Sequence, residues 1–151
     1  MDIQRIYERN KKMSVKILTE KSCRKITAML YGDLDHHTAK YIRSDIDSAI
    51  HENNPKKLII DFSNVTFMDS SGIGLVMGRY KIMNEMSGEV LIANPPTYIR
   101  KVMQLAGLHK LCPIITFSSE DKPADEQSSE NRSGCDSEVH NKTNISEGQN
   151  A

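Results

Sequence analysis

Two short polar clusters hold the residue types that could do chemistry: Asp69-Ser70-Ser71-Gly72 and Asp33-Leu34-Asp35-His36-His37. The first admits four readings. As a helix cap, its Asp and Ser oxygens accept from the free N–H groups of a first helical turn. As a phosphate cradle it fails, because Gly72 and Gly74 are followed neither by Gly-Lys-Ser/Thr nor by a third glycine at the needed spacing. As a nucleophile, Ser70 has His36 or His37 as a conceivable base but lacks the Gly-x-Ser-x-Gly elbow. As a phosphoacceptor, it offers a hydroxyl on approachable backbone just ahead of a helix. A phosphate there adds about −1.5 to −2 charges, which a helix N-terminus tolerates. Its effect then falls on whatever docks at the loop. A dianion facing an acidic or apolar partner costs a few kcal/mol, roughly a hundredfold in affinity. On the residues alone, cap and acceptor both stand.

The second cluster reads first as a solvated loop before a helix. Asp33, Asp35, His36 and His37 could also ligate a metal, although adjacent histidines seldom reach one ion from a short loop. An Asp-x-Asp phosphotransferase using Asp33 and Asp35 would want a hydroxyl or small apolar residue where His37 stands, with a lysine and an acidic pair downstream. His51 and His109 are isolated, and a surface or core-edge place is their default.

Both clusters need elements to hold them. Ser14–Thr19 and Arg24–Tyr31 read as a strand hairpin, with Val15, Ile17 and Leu18 as inward candidates and Gly32 as its end. Thr38 can cap a helix whose apolar stripe runs Ala39, Ile42, Ile46, Ala49 and Ile50, stopped by Asn53-Asn54-Pro55. Leu58–Phe62 is a short apolar run of the kind a buried parallel strand shows. The spacing predicts a second helix from about Ser71 to Met86, with Ile73, Val76, Met77, Tyr80 and Met83 inward and Gly88 as C-cap. Val90–Ala93 is another strand. Pro95-Pro96 opens a third helix, and Gly107-Leu108 closes it. Ile114–Phe117 is a last short strand. Strands joined through single helices imply right-handed crossovers: an α/β fold with a mixed, largely parallel sheet of four to five strands and three helices packed on it. In such a sheet, ligands and partners meet the carboxyl ends of the strands. The loops at 32–38 and 63–72 emerge there.

Composition narrows the function classes. Apolar residues make up 38% of the 151, and nearly all fall within 14–117. From Ser118 onward the apolar side chains are Ala124, Cys135, Val139, Ile145 and Ala151, too few to offset the entropy of ordering. Residues 118–151 therefore read as a disordered polar tail, with eight acidic against three basic residues. Residues 1–12 read as a floppy or helical extension, and 13–117 as the one domain. No Lys/Arg run with aromatic interleaving is present, which argues against nucleic acid. No window is long enough for a membrane span, and the N-terminus lacks an apolar signal core. Cys23, Cys112 and Cys135 include no CxxC pair; Cys23 and Cys112 read as small packing residues without a staple, which suits a cytoplasmic setting. The eight methionines read as core filler.

Gly32-Asp33-Leu34-Asp35-His36-His37-Thr38-Ala39, the run from Asp61 to Gly74 and Gly78-Arg79-Tyr80-Lys81 closely resemble the anti-sigma-factor antagonists of the STAS family, the sporulation type most of all. Leu105-Ala106-Gly107-Leu108 fits the same pattern. The resemblance covers about 13–117. It leaves residues 1–12 and 118–151 outside, with Met13 as an alternative start, and Asp33 stands where Glu is commoner. It implies a non-enzymatic switch without a cofactor or metal, which binds an anti-sigma factor that is also a serine kinase and so releases a sigma factor. It implies phosphorylation of Ser70 by that kinase and reversal by a PP2C-type phosphatase. It further implies that Asp35 meets an arginine of the partner, while Asp69, Ser71 and Gly72 shape the docking surface and acceptor loop. The alternatives are a STAS module of another signalling complex, a small-ligand sensor, or a metal-dependent enzyme using Asp33, Asp35 and His37.

Overall fold

Alternation of apolar and polar side chains governs the first third of the chain. The computed structural model describes residues 3–10 and 13–117. Strands β1 (Ile3–Asn10), β2 (Met13–Glu20) and β3 (Lys25–Leu34) form an antiparallel meander. Along β2, Met13, Val15, Ile17 and Thr19 are buried and the residues between them half-buried, so Leu18 faces the side opposite Val15 and Ile17. β1 corrects the reading of the N-terminus. Residues 3–10 are neither floppy nor helical; they pair with β2 from Ile3↔Thr19 to Asn10↔Met13. The sheet therefore has six strands in the order β1-β2-β3-β4-β5-β6. The expected disordered tail lies outside the described residues.

From β3 onward the sheet is parallel. Helix α1 (His36–Asn53) leads to β4 (Lys57–Met68), α2 (Ser70–Glu85) to β5 (Glu89–Ala93), and α3 (Thr97–Leu105) to the short β6 (Ile114–Ile115). The expected α1 stripe is buried in full. Leu58 through Phe62 are all buried, because β4 lies between β3 and β5. The three helices join one apolar cluster with the inward residues of the strands: Ile42 and Ile46 from α1, Leu75 and Val76 from α2, Ile99 and Met103 from α3.

Three local readings are corrected. Gly32 does not end β3; with φ of 103° it accompanies a register shift, and the strand runs on to Leu34. β4 likewise extends to Met68, so residues 63–68 are strand where a loop was expected. The inward stripe of α2 is Gly72, Leu75, Val76, Arg79 and Met83, rotated from the expected one, and Met77 is 40% exposed. Arg79 is 4% exposed. Its Nε lies 2.8 Å from Asp47 Oδ1 on α1, and burial lowers the pKa of its guanidinium although Asp47 opposes that shift.

Glycines mark opposite needs. At Gly88 a Cβ would sit 2.9 Å from the Lys56 carbonyl oxygen, so close approach excludes a side chain; the left-handed residue that follows α2 is Ser87, φ 62°. At Gly78 a Cβ would meet nothing within 4 Å. Cys112 is fully buried and free, and desolvation pushes its thiol up to about 11. Cys23 departs from its expected role as a packed thiol. It is half-buried, in the 3-10 turn Lys21–Cys23.

Gly78→Ala should raise stability by about 0.5–1 kcal/mol, since a helix-interior alanine replaces glycine without a clash. Gly88→Ala should lower it by about 1–3 kcal/mol through overpacking. Urea midpoints at constant m-value check both. Cys112 should react with thiol reagents near pH 8 only at the rate of unfolding, read as labelling that accelerates with denaturant.

Candidate functional site

The parallel register of β3 and β4 decides where the polar clusters meet. Leu34 pairs with Met68 at the ends of the two strands, and the Asp69 amide donates to the Leu34 carbonyl at 3.2 Å. Both clusters thus leave neighbouring strands at one level and enter helices at once. A second tie crosses just below: Thr66 Oγ1 donates to Asp33 Oδ1 at 2.8 Å.

Each helix begins on an aspartate. Asp35 is the N-cap of α1; its Oδ1 accepts from the His37 and Thr38 amides, both at 2.9 Å. Thr38 is not the cap, as the sequence reading had it, but the third helical residue. Its Oγ1 accepts from the Asp35 amide at 3.0 Å, which closes a capping box, and donates to the Asp33 carbonyl at 2.9 Å. Asp69 is the N-cap of α2, with Oδ1 accepting from the Ser71 amide at 2.8 Å. Both helices turn their N-termini, the positive ends of their dipoles, toward the same mouth.

Ser70 is the first residue of α2 and is exposed. Asp35, Asp69 and Ser71 are half-buried, and His36 and His37 are exposed with ring centroids 4.1 Å apart. Gly72 is buried. A Cβ there would fall 3.1 Å from Leu34 Cδ2 and closer still to Met68 Cγ and Sδ. It shapes the loop from within by letting the first turn of α2 lie against the strand ends.

The structure adds Tyr98, which sequence reasoning had not placed at the mouth, and leaves Phe67, inside the expected 63–72 segment, open to solvent. Phe67 and Tyr98 are each 47% exposed, and the Tyr98 hydroxyl donates to the Thr66 carbonyl at 3.2 Å, which brings the start of α3 beside the end of β4. The available signal was the breakdown of alternation at Val65-Thr66-Phe67-Met68, where two exposed residues sit between two buried ones. As for the metal reading, no three His, Cys, Asp or Glu side chains among the described residues converge on one point. Asp33 and Asp35 are instead engaged by Thr66 and by the α1 cap.

An exposed serine at the start of a helix, two aspartate caps at the carboxyl edge of a mixed sheet and helices on one apolar cluster match a known domain. The family model of the STAS domain fits residues 17–122. The chain belongs to the STAS domain family. Over 87 residues it is 39% identical to the anti-sigma F factor antagonist of Paenibacillus polymyxa, covering 56% of this chain and 73% of that relative. It is also similar to the solved anti-sigma factor antagonist SpoIIAA in its unphosphorylated form, with a TM-score of 0.58 at 28% identity over 79% of this chain and 91% of that one. The phosphorylated form of SpoIIAA, a Bacillus cell fate determinant, matches with a TM-score of 0.55 at 28% identity, over 79% and 95%. Both loops of the mouth lie inside the STAS match, whereas β1 precedes it. No helix among the described residues is long and apolar enough to cross a membrane.

Gly72→Ala should cost about 1–3 kcal/mol, because the added methyl must displace Met68 against the core. Thr38→Ala should cost about 1 kcal/mol through loss of the reciprocal cap. Thermal or urea unfolding of each variant measures both.

Proposed function

We propose that this STAS protein is an anti-sigma factor antagonist. Bare Ser70 permits it to bind an anti-sigma factor that is also a serine kinase, and phosphorylated Ser70 forbids it. The observation that carries this is the placement of Ser70: exposed, at the first position of α2, at the mouth shared with the Asp35 cap. Support also comes from the likeness to curated antagonists and to a relative solved in both phosphorylation states.

The energetics fit a switch without unfolding. A helix N-terminus offsets about 0.3–1 kcal/mol of an added negative charge, so the phosphoform keeps its fold. A partner seated on the mouth would instead meet a new dianion at a cost of a few kcal/mol. In this reading the Asp35 carboxylate does two jobs: it caps α1 and faces an arginine of the partner. Asp69 and Ser71 hold the acceptor loop, and Gly72 acts from inside. Docking frees the sigma factor, and a PP2C-type phosphatase restores the serine. The setting is cytoplasmic, and the protein acts by binding, with no reaction or cofactor of its own.

With a cognate anti-sigma kinase and ATP, the wild type should give a phosphoform that Ser70→Ala lacks, read by mass spectrometry. Ser70→Asp should bind the kinase roughly a hundredfold more weakly in calorimetry. If both variants bind like wild type, the switch is wrong; if no phosphoform appears, the chain serves another STAS complex. Asp35→Asn separates the two jobs of that residue, because asparagine caps about as well as aspartate. Its unfolding midpoint should stay within about 0.5 kcal/mol of wild type, while affinity for the kinase should fall about tenfold or more, as loss of a charge-assisted hydrogen bond implies.

A further inference from the structure

Helix α2 has more apolar surface than one face can bury. Its inward stripe is Gly72, Leu75, Val76, Arg79 and Met83. A second stripe, Ile73, Met77 and Tyr80, lies around the helix from the first and stays half-buried or exposed. Ile73 and Tyr80 already pack against the core from its edge, so the apolar residues of the two stripes together admit more than one roll. Hydrophobic burial is non-directional, and the close approach at Gly72 holds only the first turn of α2; neither sets the roll along the rest of the helix.

The Arg79–Asp47 ion pair, a charge contact without a hydrogen bond between Nε and Oδ1, favours one roll. Arg79 Nε lies 2.8 Å from Asp47 Oδ1, and Nη1 donates to the Leu75 carbonyl at 3.3 Å. The two side chains are 5% and 28% exposed. A buried ion pair is a poor source of net stability compared with apolar residues of like volume, and its best-attested use is to fix register. Ser70 and Arg79 are nine residues apart, which at about 100° per residue places them on opposite sides of the helix. With Arg79 locked inward, Ser70 must point out.

We infer that the Arg79–Asp47 ion pair between α2 and α1 sets the roll of α2, and that Arg79 is thereby the positioning residue that presents Ser70 to a partner. This deepens the switch proposed above and rests on it for its biological meaning, but not for its test. Replacing the pair with Arg79→Met and Asp47→Leu together keeps apolar volume and removes the direction. The helix then rolls toward the Ile73–Met77–Tyr80 stripe, covering Met77 and turning Ser70 toward the flank.

The test needs no partner protein. Oxidation of Met77 by hydrogen peroxide, followed by peptide mass spectrometry, reports its exposure. Maleimide labelling of Ser70→Cys reports the acceptor position. In the apolar-pair background both rates should fall at least threefold while far-ultraviolet circular dichroism and cooperative unfolding persist. The charge-swapped pair, Asp47→Arg with Arg79→Asp, should return both rates to within twofold of wild type. A folded apolar pair with unchanged rates, or a folded charge swap with the slowed rates, overturns the inference. Failure of both pairs to fold overturns it as well, since the interaction would then hold the fold and not the roll. Binding of Ser70→Asp to the kinase, measured separately, reports on the switch alone.

Discussion

The pairing of β3 with β4 out to Leu34 and Met68 is the constraint on which the mouth depends. Parallel strands that end together release their following segments at one level. The single backbone bond from the Asp69 amide to the Leu34 carbonyl then fuses the two releases into one surface. Every other feature of the mouth follows from that arrangement. Each helix starts at once on an aspartate cap, so neither loop has slack. Gly72 lets α2 start hard against the strand ends. Ser70 stands exposed at the first position of the helix.

Rigidity of this kind suits a surface read by its charge. A loop able to yield would accommodate a phosphate by moving aside, and a partner would lose little. Here Asp69 holds the amide of Ser71 and Asp35 holds those of His37 and Thr38. A charge added at Ser70 would stay where it is placed. In the proposed switch the fold would be spared and the interface would not, because the dipole that tolerates an anion belongs to the domain while the repulsion would belong to the complex.

Much of this was legible in the chain. The α1 stripe, the β4 run and the hairpin followed from periodicity, since each element buries one face or is buried on both. The aspartates and Ser70 drew notice because caps and acceptors use the same residue types. Three features were hidden for different reasons. β1 carries Arg5, Glu8 and Arg9 among its eight residues, and so lacks the apolar alternation by which strands are found; its place comes from pairing with β2. Residues 63–68 look like a loop because Ser63-Asn64 and Thr66 are polar, yet the backbone continues its ladder with β3. The roll of α2 was misread because periodicity counts apolar residues and has no means to place a buried arginine inward.

The β1–β2–β3 meander has a consequence for the order in which the molecule takes shape. Its strands are neighbours in sequence as well as in space, joined by short connections. Sheet pairing of this local kind closes quickly, whereas a parallel pair must wait for an entire crossover to be made. Residues 3–10 and 13–34 can pair without waiting for a crossover to close. The mouth then forms on the β3 edge, whose own pairings are local, once the first crossover is made and β4 sets Met68 beside Leu34.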